Sequence, residues 1–445
     1  MQKTNYSGKK TLVVGLGASG RAAAFFLLKK GAIVYGVDRN ATQLLENPEI
    51  ISLIKDGLTV QVDDPQLSLD AFDHIIMSPG IPPTHPIYAR ALLDGKEVLG
   101  EIELGCRDIS NRIVGITGTN GKTTVTLLIT HILNQCGKKA HALGNVGMPL
   151  TREILTVDPD DILVLELSSY QLETLHQKVL DVAVILNITP DHLERYKTMD
   201  AYAKAKFFIG RNLKDNGILY LEENISKDYA TVEEVKKGKI YGYNKKHEVH
   251  TDLKSIFVKG VFAFDLPKDF QGHRSHDVEN IMAAYAICQH LGVAPNQFLS
   301  GLQTFKKPPH RIEFVLEKSG VRYFDDSKGT NVDAVIRAVQ TLQGSIILIA
   351  GGVDKGSSYT PWLNVFVNKV KCICAIGQAA NKIQHELSHS IPVQILNSLD
   401  DAVISAAKQA KSGDIVLLSP GCASYDMFRD YAHRGEEFQR AVRQL

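Results

Sequence analysis

The sequence predicts an α/β protein built of three domains, and three observations support this prediction. The chain has 445 residues, enough for about three domains of ~150 residues each. Short runs rich in Val, Ile and Leu alternate with helical runs along its whole length, a pattern typical of mostly parallel sheets. Glycine-rich turns follow several of the apolar runs. We therefore expect domains at residues 1–99, 100–307 and 308–445.

The composition is that of an ordinary globular protein, with 44% hydrophobic residues, 22% charged residues and a formal net charge of +1. Because the chain has no basic excess, we expect no nucleic-acid partner. The first residues carry no secretory signal, and no apolar run approaches the ~20 residues that a membrane span requires. The six cysteines are scattered, and we assign them neither disulfides nor a metal site. These observations favour a cytoplasmic protein without a membrane partner.

A glycine-rich turn in the first domain is typical of Rossmann-like folds. An apolar run at residues 10–15 leads into Gly15-Leu-Gly17-Ala-Ser-Gly20, and a helical run follows at residues 21–30. This glycine motif indicates a ligand-binding turn when it lies between a strand and a helix, because the N-terminus of the helix then faces the bound ligand. Asp38 ends the next apolar run, and Ser78-Pro79-Gly80 follows a later one. We expect a ligand at this edge of the sheet.

Residues 118–123 read Gly-Thr-Asn-Gly-Lys-Thr, a short variant of a phosphate-binding loop, between an apolar run at 112–116 and a helical run at 125–134. A strand that turns through glycines into a helix presents backbone N–H groups to an anion, with the helix dipole behind them. Lys122 can then reach the terminal phosphates, and the Thr123 hydroxyl can bind Mg²⁺. The pattern predicts a central P-loop ATPase-like domain with a mostly parallel sheet, which binds ATP and Mg²⁺.

Glu166 and Asp191-His192 each follow an apolar strand of the central domain. From the end of its strand, Glu166 can reach a nucleotide-bound Mg²⁺. Alternatively, Glu166 is a carboxylate satisfied at a helix start that Ser168 and Ser169 cap. By itself, an Asp-His pair in a loop is more often structural than catalytic.

Lys206 allows two interpretations. An ammonium group cannot bind Mg²⁺, whereas the carbamate formed when a desolvated lysine reacts with CO₂ is an anionic oxygen ligand. From the residues alone we favour a solvated lysine beside Lys204 on a helical run. Residues 211–275, which are polar and rich in turns, predict small antiparallel strands.

Three polar turns of the third domain each follow an apolar strand, at residues 325–331, 351–355 and 419–424. The carboxyl ends of parallel strands meet at one edge of a sheet, so these turns predict a common binding face. Pro308-Pro309 marks the linker before this domain. We expect a second Rossmann-like α/β fold here.

Taken together, the motifs resemble those of the Mur ligases, in order and over essentially the whole chain. They are Gly118–Thr123, Gly144-Asn145-Val-Gly147, Glu166–Glu173, Leu186–Tyr196, Pro309-His310-Arg311, Asp325–Asn331, Ser419–Phe428 and Arg434–Phe438. The last two resemble the branch of the family that adds D-glutamate. The resemblance implies ATP-dependent ligation of D-glutamate to UDP-N-acetylmuramoyl-L-alanine through an acyl phosphate, a cytoplasmic step of peptidoglycan precursor synthesis that serves cell-wall biogenesis, cell shape and cell division. We also expect the protein to be a monomer.

The resemblance assigns roles by position. Catalytic roles fall to Lys122, His192 and Lys206. The ATP site comprises Gly118, Thr119, Asn120, Gly121, Lys122, Thr123, Thr124, Asn280, His310, Arg311 and Asp326. The substrates are bound by Ser19, Gly20, Asp38, Ser78, Gly80, Asn145, Ser168, Gln171, Arg311, Lys328, Thr330, Lys355, Ser424 and Phe428. The metal ligands are Thr123 and Glu166 for one Mg²⁺, and His192 with a carbamylated Lys206 for a second.

Two departures from the family pattern concern the nucleosides. The chain has His276-Asp277 where the family often has His-Asn, and Arg39 falls one place before the expected arginine. The alternative functions are another Mur-type or folylpolyglutamate-type amide ligase, an NAD-dependent oxidoreductase and a non-enzymatic ATP-binding regulator. The oxidoreductase leaves the Lys122 loop and the whole third domain without a role.

Overall fold

The structure is a computed structural model that describes residues 4–445. By its internal contacts the chain divides into two compact units. The first unit runs to Ile188 and resumes from Ala203 to Phe305, and the second comprises Thr189–Tyr202 and Lys306–Leu445. Across the described residues the strands form three sheets, in agreement with the predicted three-domain α/β class. The exact domain boundaries stay a prediction.

The N-terminal sheet is entirely parallel, with the strand order β3-β2-β1-β4-β5. This open arrangement, covered by helices, confirms the predicted Rossmann-like fold. Its strands are β1 Lys10–Val14, β2 Ile33–Asp38, β3 Thr59–Val62, β4 His74–Met77 and β5 Val98–Gly100. Its helices are α1 Ala18–Lys29, α2 Ala41–Leu44, α3 Pro48–Lys55, α4 Pro86–Leu93 and α5 Glu101–Cys106.

The central sheet, also in the first unit, has the order β14-β13-β12-β11-β10-β9-β6-β8-β7. Its strands are β6 Arg112–Thr117, β7 Ala140–Gly144, β8 Ile162–Glu166, β9 Leu180–Ile185, β10 Leu213–Glu222, β11 Lys239–Gly242, β12 Val249–Thr251, β13 Ser255–Val258 and β14 Val261–Asp265. The helices of this stretch are α6 Lys122–Gln135, α7 Leu150–Glu153, α8 Ser169–Leu172, α9 Leu193–Tyr196, α10 Met199–Arg211, α11 Glu223–Asp228, α12 Glu233–Lys237, α13 His276–His290 and α14 Pro295–Thr304, with a 3₁₀ turn at Lys268–Phe270.

The prediction of small antiparallel strands at residues 211–275 is wrong for most of this segment. β10 pairs in parallel with β9, β11 with β10, and β12 with β11. Only the pairs β12–β13 and β13–β14 are antiparallel. The short helices α11 and α12 supply the crossover between β10 and β11, and their polar sequence resembles turns.

The third sheet lies in the second unit and has the order β15-β16-β20-β17-β18-β19. Its strands are β15 Glu313–Lys318, β16 Val321–Asp325, β17 Ile346–Gly351, β18 Val370–Ile376, β19 Val393–Ile395 and β20 Ile415–Leu418. Its helices are α15 Val332–Thr341, α16 Leu363–Phe366, α17 Ala380–Leu387, α18 Leu399–Gln409 and α19 Tyr431–Gln444, with a 3₁₀ turn at Thr360–Trp362. Only β15 is antiparallel to its neighbour, and sequence analysis missed it because this edge strand is half exposed.

The register of the third sheet brings the ends of neighbouring strands together. Asp325 at the end of β16 pairs with Leu418 of β20, and Ile349 of β17 pairs with the same Leu418. The three polar turns therefore begin at one edge, as the sequence predicted. The middle strands β17 and β20 are fully buried, because helices cover both faces of the sheet.

Within residues 4–445, none of the helices combines the length and the hydropathy needed to cross a bilayer. The cysteines, among them Cys372 and Cys374 of β18, are free thiols.

The packing of the first glycine turn predicts how two substitutions in this motif, one of them a matched control, change the free energy of unfolding. A Cβ at Gly20 would lie 1.9 Å from the Gly15 carbonyl oxygen, whereas a Cβ at Gly17 would have no heavy atom within 4 Å from any described residue beyond Gly17 and its two chain neighbours. We expect Gly20→Ala to lower the free energy of unfolding by about 1–3 kcal/mol through overpacking. Gly17→Ala should change it by less than about 0.5 kcal/mol. Urea unfolding of both variants measures the difference, and equal midpoints would contradict the packing account.

Candidate active site

The phosphate-binding loop lies between β6 and α6, and two glycines shape it. Gly118 and Gly121 have φ angles of 152° and 87°, in the region that favours glycine. A Cβ at Gly121 would lie 2.5 Å from Asn280 Oδ1, so Asn280 packs closely over the loop. Residues 122–124 form the first turn of α6, where Thr123 and Thr124 are each 8% exposed. Sequence analysis assigned Asn280 and these loop residues to one nucleotide site, and the fold brings them together.

Asn187 forms three hydrogen bonds with residues of this loop, and sequence analysis assigned it no role. Its backbone oxygen accepts a hydrogen bond from Thr119 N at 2.9 Å. Its side-chain oxygen accepts one from Asn120 N at 2.8 Å, and its Nδ2 donates to Asn120 O at 3.0 Å. The residue follows β9 at the same edge of the sheet, so an asparagine after a central strand was the signal that could have identified it.

Two lysines donate to one carbonyl oxygen of the loop. Lys122 Nζ lies 2.8 Å from Gly118 O and 2.9 Å from Thr119 O. Lys206 Nζ, from α10, lies 2.8 Å from the same Gly118 O. Lys206 is only 1% exposed, whereas Lys204 on the same helix is exposed. The interpretation of Lys206 as a solvated lysine is therefore wrong.

Glu166, at the end of β8, is 2% exposed, and only one of its two carboxylate oxygens accepts a hydrogen bond from within residues 4–445. Its Oε1 accepts a hydrogen bond from Asn145 Nδ2 at 2.7 Å, while its Oε2 has no hydrogen-bond partner among the described residues. A buried carboxylate oxygen without a donor is costly, and a cation would satisfy it. The donor set thus fits Mg²⁺, and Asn145 orients the carboxylate.

Ser168 and Gln171 form reciprocal side-chain to backbone hydrogen bonds at the start of α8. The Ser168 hydroxyl accepts from Gln171 N at 3.2 Å, and Gln171 Oε1 accepts from Ser168 N at 3.0 Å. This capping box confirms the helix-start role of Ser168. The predicted contacts of both residues with the substrate stay a prediction.

The predicted nucleoside-binding residues of the N-terminal sheet gather around its first glycine turn. Asp38 Oδ2 accepts from Leu16 N at 2.8 Å, and Ser78 Oγ donates to Gly15 O at 2.7 Å. Ser19 lies half-buried in the first turn of α1, and Gly80 is exposed. The edge therefore combines a carboxylate, two hydroxyls and a helix N-terminus.

In the second unit, Asp191 forms a buried ion pair with Lys355, with Nζ to Oδ1 at 3.1 Å. Its Oδ2 accepts from Asn331 Nδ2 at 3.2 Å and lies 3.6 Å from His192 Nε2. Burial acts to raise the pKa of Asp191, but the nearby charges of Lys355 and His192 outweigh it and lower this pKa to about 2. His192 has a φ of 55° and its Nδ1 lies 3.3 Å from Glu194.

His310 and Asp326 are both buried in this unit. His310 Nδ1 lies 2.6 Å from Asp325 Oδ2, and this hydrogen bond raises the pKa of His310. Asp326 accepts a 2.7 Å hydrogen bond from Ser419 Oγ, and burial raises its pKa to about 7. The adjacent Arg311 is half-exposed. The nucleotide contacts predicted for these three residues stay predictions.

The last helix fixes two of the polar turns through Arg434, which sequence analysis quoted without assigning it a role. Arg434 is 1% exposed and donates to Ser327 Oγ at 3.0 Å, to Ser327 O at 2.9 Å and to Cys422 O at 3.2 Å. Burial lowers its pKa to about 10. Its guanidinium group thereby ties the turn after β16 to the turn after β20.

The other predicted substrate residues of this unit lie in or beside the same turns. Lys328 Nζ lies 3.7 Å from the centre of the Tyr431 ring, and Thr330 is half-buried. Ser424 is 3% exposed, and its backbone oxygen accepts from Phe428 N at 2.9 Å. Phe428 packs edge-on to His433, with ring centroids 5.8 Å apart.

Comparison with known families matches all three parts of the chain. Residues 9–100 match the Mur ligase MurD-like N-terminal domain, residues 116–288 the Mur ligase middle domain, and residues 310–422 the Mur ligase glutamate ligase domain.

Among curated proteins, UDP-N-acetylmuramoylalanine--D-glutamate ligase of Protochlamydia amoebophila (strain UWE25) is 59% identical over 441 residues, 99% of either chain. The protein of the same name from Caldicellulosiruptor bescii is 38% identical and covers 98% of both chains.

Solved structures share the fold. UDP-N-acetylmuramate-alanine ligase MurC from Thermotoga maritima has a TM-score of 0.62 at 18% identity, over 98% of this chain and 99% of that one. MurF ligase from the same organism, in complex with ADP, has a TM-score of 0.60 at 17% identity, over 92% and 95% of the chains. With family models along its length and full-length relatives well above 30% identity, the chain belongs to the Mur ligase family.

Proposed function

We propose that this ligase uses ATP to join D-glutamate to UDP-N-acetylmuramoyl-L-alanine, releasing ADP and phosphate, in peptidoglycan precursor synthesis. The observation that carries the proposal is the 59% identity, over 99% of both chains, to a ligase named for that reaction. The glycine loop with Lys122 and the carboxylate of Glu166 supports the use of a nucleoside triphosphate. We further propose a monomeric, cytoplasmic enzyme that serves cell-wall biogenesis, cell shape and cell division.

The reaction proceeds in two steps. A carboxylate oxygen of the muramoyl-alanine attacks the γ-phosphorus of ATP, the bond to ADP breaks, and an acyl phosphate forms. The amine of D-glutamate then attacks the acyl carbon, the tetrahedral intermediate expels phosphate, and the nitrogen loses a proton. Because phosphate is a far better leaving group than hydroxide, the protein has mainly to position the reactants and neutralise charge.

The first unit supplies the phosphate-binding groups. Backbone N–H groups at the start of α6 and the Lys122 ammonium bind the phosphates. Lys122 donates to Gly118 O and Thr119 O in this structure, and we expect it to exchange these carbonyls for phosphate oxygens. Glu166 and Thr123 would hold Mg²⁺, which neutralises phosphate charge during transfer. His192, which belongs to the second unit, remains the predicted ligand of a second Mg²⁺.

Burial of Lys206 supports its carbamylation. Its ammonium group is almost fully buried and shares Gly118 O with that of Lys122. Two ammonium groups on one carbonyl repel each other, and conversion of Lys206 into an anionic carbamate removes this repulsion. The carbamate also provides the oxygen ligands that Mg²⁺ prefers.

The second unit supplies the proposed amino-acid pocket. Lys328, Thr330, Lys355, Ser424 and Phe428 line the turns at the edge of the third sheet, and Lys355 gives the charge that a D-glutamate carboxylate requires. The proposed contacts of the uridine diphosphate are all in the first unit: Ser19, Gly20, Asp38, Ser78 and Gly80. The proposed contacts of the sugar and peptide are Asn145, Ser168 and Gln171.

An amino-acid panel tests the function. We expect ADP release to require both UDP-N-acetylmuramoyl-L-alanine and D-glutamate, with a ligated product of matching mass. L-glutamate, glycine, L-lysine and meso-diaminopimelate should give no more than the background rate. Preference for another amino acid would identify a different ligase of the family, and D-glutamate-independent ADP release would contradict ligation.

The metal proposal predicts how the Mg²⁺ requirement changes. Asn145→Ala leaves Glu166 without its orienting hydrogen bond, so the Mg²⁺ concentration for half-maximal rate should rise about 10–100-fold. Glu166→Gln should raise it further, because the anionic ligand is lost. The exposed Glu233→Gln is the control and should keep the wild-type requirement. An unchanged requirement in both site variants would remove Glu166 from the metal site.

The proposed carbamate predicts a ¹³C resonance from Lys206 and a loss of turnover when this lysine is replaced. Lys206→Ala should lower kcat by about 100-fold or more, the order found when one transition-state-stabilising group is removed. Its matched control is Lys204→Ala, on the exposed side of α10. With ¹³C-bicarbonate, the wild type and the control should show a carbamate resonance that Lys206→Ala lacks. Normal turnover of Lys206→Ala would overturn the assignment.

A further inference from the structure

A buried ion pair joins two turns of the second unit that lie far apart in sequence. Lys355 follows β17, and its Nζ donates to Asp191 Oδ1 at 3.1 Å. The two side chains are 16% and 7% exposed, so the pair is largely shielded from water and the attraction is stronger than at the surface. Removal of either partner would leave the other charge buried without compensation.

Both oxygens of the Asp191 carboxylate are held. Oδ1 also accepts from His192 N at 2.9 Å, and Oδ2 accepts from Asn331 Nδ2 at 3.2 Å. Asn331 is itself fixed, because it is the N-cap of α15 and its Oδ1 accepts from Ala334 N at 2.9 Å. The carboxylate therefore cannot rotate freely, and it holds the Lys355 ammonium in one direction.

We propose that Asp191 is a positioning residue that orients the Lys355 ammonium to receive the carboxylate of the amino-acid substrate. The inference rests on the proposed ligation of D-glutamate, in which Lys355 binds that carboxylate. A free lysine side chain samples many rotamers, and fixing it at the moment of binding costs entropy. Asp191 fixes it in advance, so substrate binding is stronger than it would be to a mobile lysine.

A neighbouring contact separates this role from simple attachment of the loop. Thr189 Oγ1 donates to Asp333 Oδ2 at 3.2 Å and so attaches the same 189–202 segment to α15. Asp333 forms its ion pair with Arg337, at 2.7 Å, and not with Lys355. Asp333→Asn is therefore the matched control, since it removes an acidic anchor of the segment without removing the partner of Lys355.

The kinetic test is a double-mutant cycle on Asp191 and Lys355. Asp191→Asn should raise the KM for D-glutamate about 10-fold, within the range of coupling between contacting residues, and change the KM for ATP less than about twofold. In a Lys355→Ala background, Asp191→Asn should raise the KM for D-glutamate no further. Asp333→Asn should leave that KM within about twofold of the wild type. Additive effects, or equal rises in both KM values, would overturn the proposal.

A chemical test is independent of the ligation reaction. Acetic anhydride labels accessible lysine amines, and mass spectrometry reports the labelling rate of Lys355 in the full chain. We expect labelling several-fold faster in Asp191→Asn than in the wild type and Asp333→Asn. Equal rates in all three proteins would contradict the positioning role. Failure of the wild type to use D-glutamate would instead contradict the proposed function, and the labelling rates would still show whether Asp191 fixes Lys355.

Discussion

The structure depends on one constraint, that parallel strands end together at the same edge of a sheet. At that edge the hydrogen bonds between strands end, so the backbone N–H groups and the side chains that follow are available to ligands. Each of the three sheets uses this edge in its own way. The first presents a glycine turn with Asp38 and Ser78, the second a phosphate loop with Glu166, and the third the polar turns with Lys355 and Ser424.

Several contacts together fix the shape of the glycine loop at residues 118–123. The positive φ angles of Gly118 and Gly121 allow the loop to turn sharply. Asn187, which follows the neighbouring strand β9, stabilises this turn through three hydrogen bonds. Lys122 and Lys206 place two amines on Gly118 O, and Glu166 keeps one buried oxygen without a donor. These two amines and this carboxylate oxygen are the groups that the proposed phosphate and cation site would use.

Much of the fold could be predicted because the apolar runs are short, regular and interrupted by glycine turns. The segment from β10 to β12 was misassigned because its crossovers, α11 and α12, have the polar composition of loops. Strand β15 was missed because an exposed edge strand lacks a clear apolar face.

Residue type and local order were enough to predict the glycine loop that leads into α6, where Lys122 and Thr123 lie, and the roles of these two residues stay predictions. The burial of Lys206 depends on the packing of α10 against the phosphate loop, which no local pattern reveals. Asn187, Asp191 and Arg434 contact residues that are distant in sequence. The position of Asn187 after a central strand was a signal in the sequence, whereas the contacts of Asp191 and Arg434 required coordinates. Asn145 was assigned to the substrate, and its hydrogen bond to Glu166 adds a role that spacing alone could not indicate.

The central claim is that ATP activates a carboxylate by phosphorylating it, and transfer of an oxygen isotope tests this directly. The UDP-N-acetylmuramoyl-L-alanine substrate would be labelled with ¹⁸O in its alanyl carboxylate, and the released phosphate analysed by mass spectrometry. An acyl phosphate predicts one ¹⁸O atom in each phosphate formed during ligation. Phosphate without label, or label found in AMP, would contradict the account.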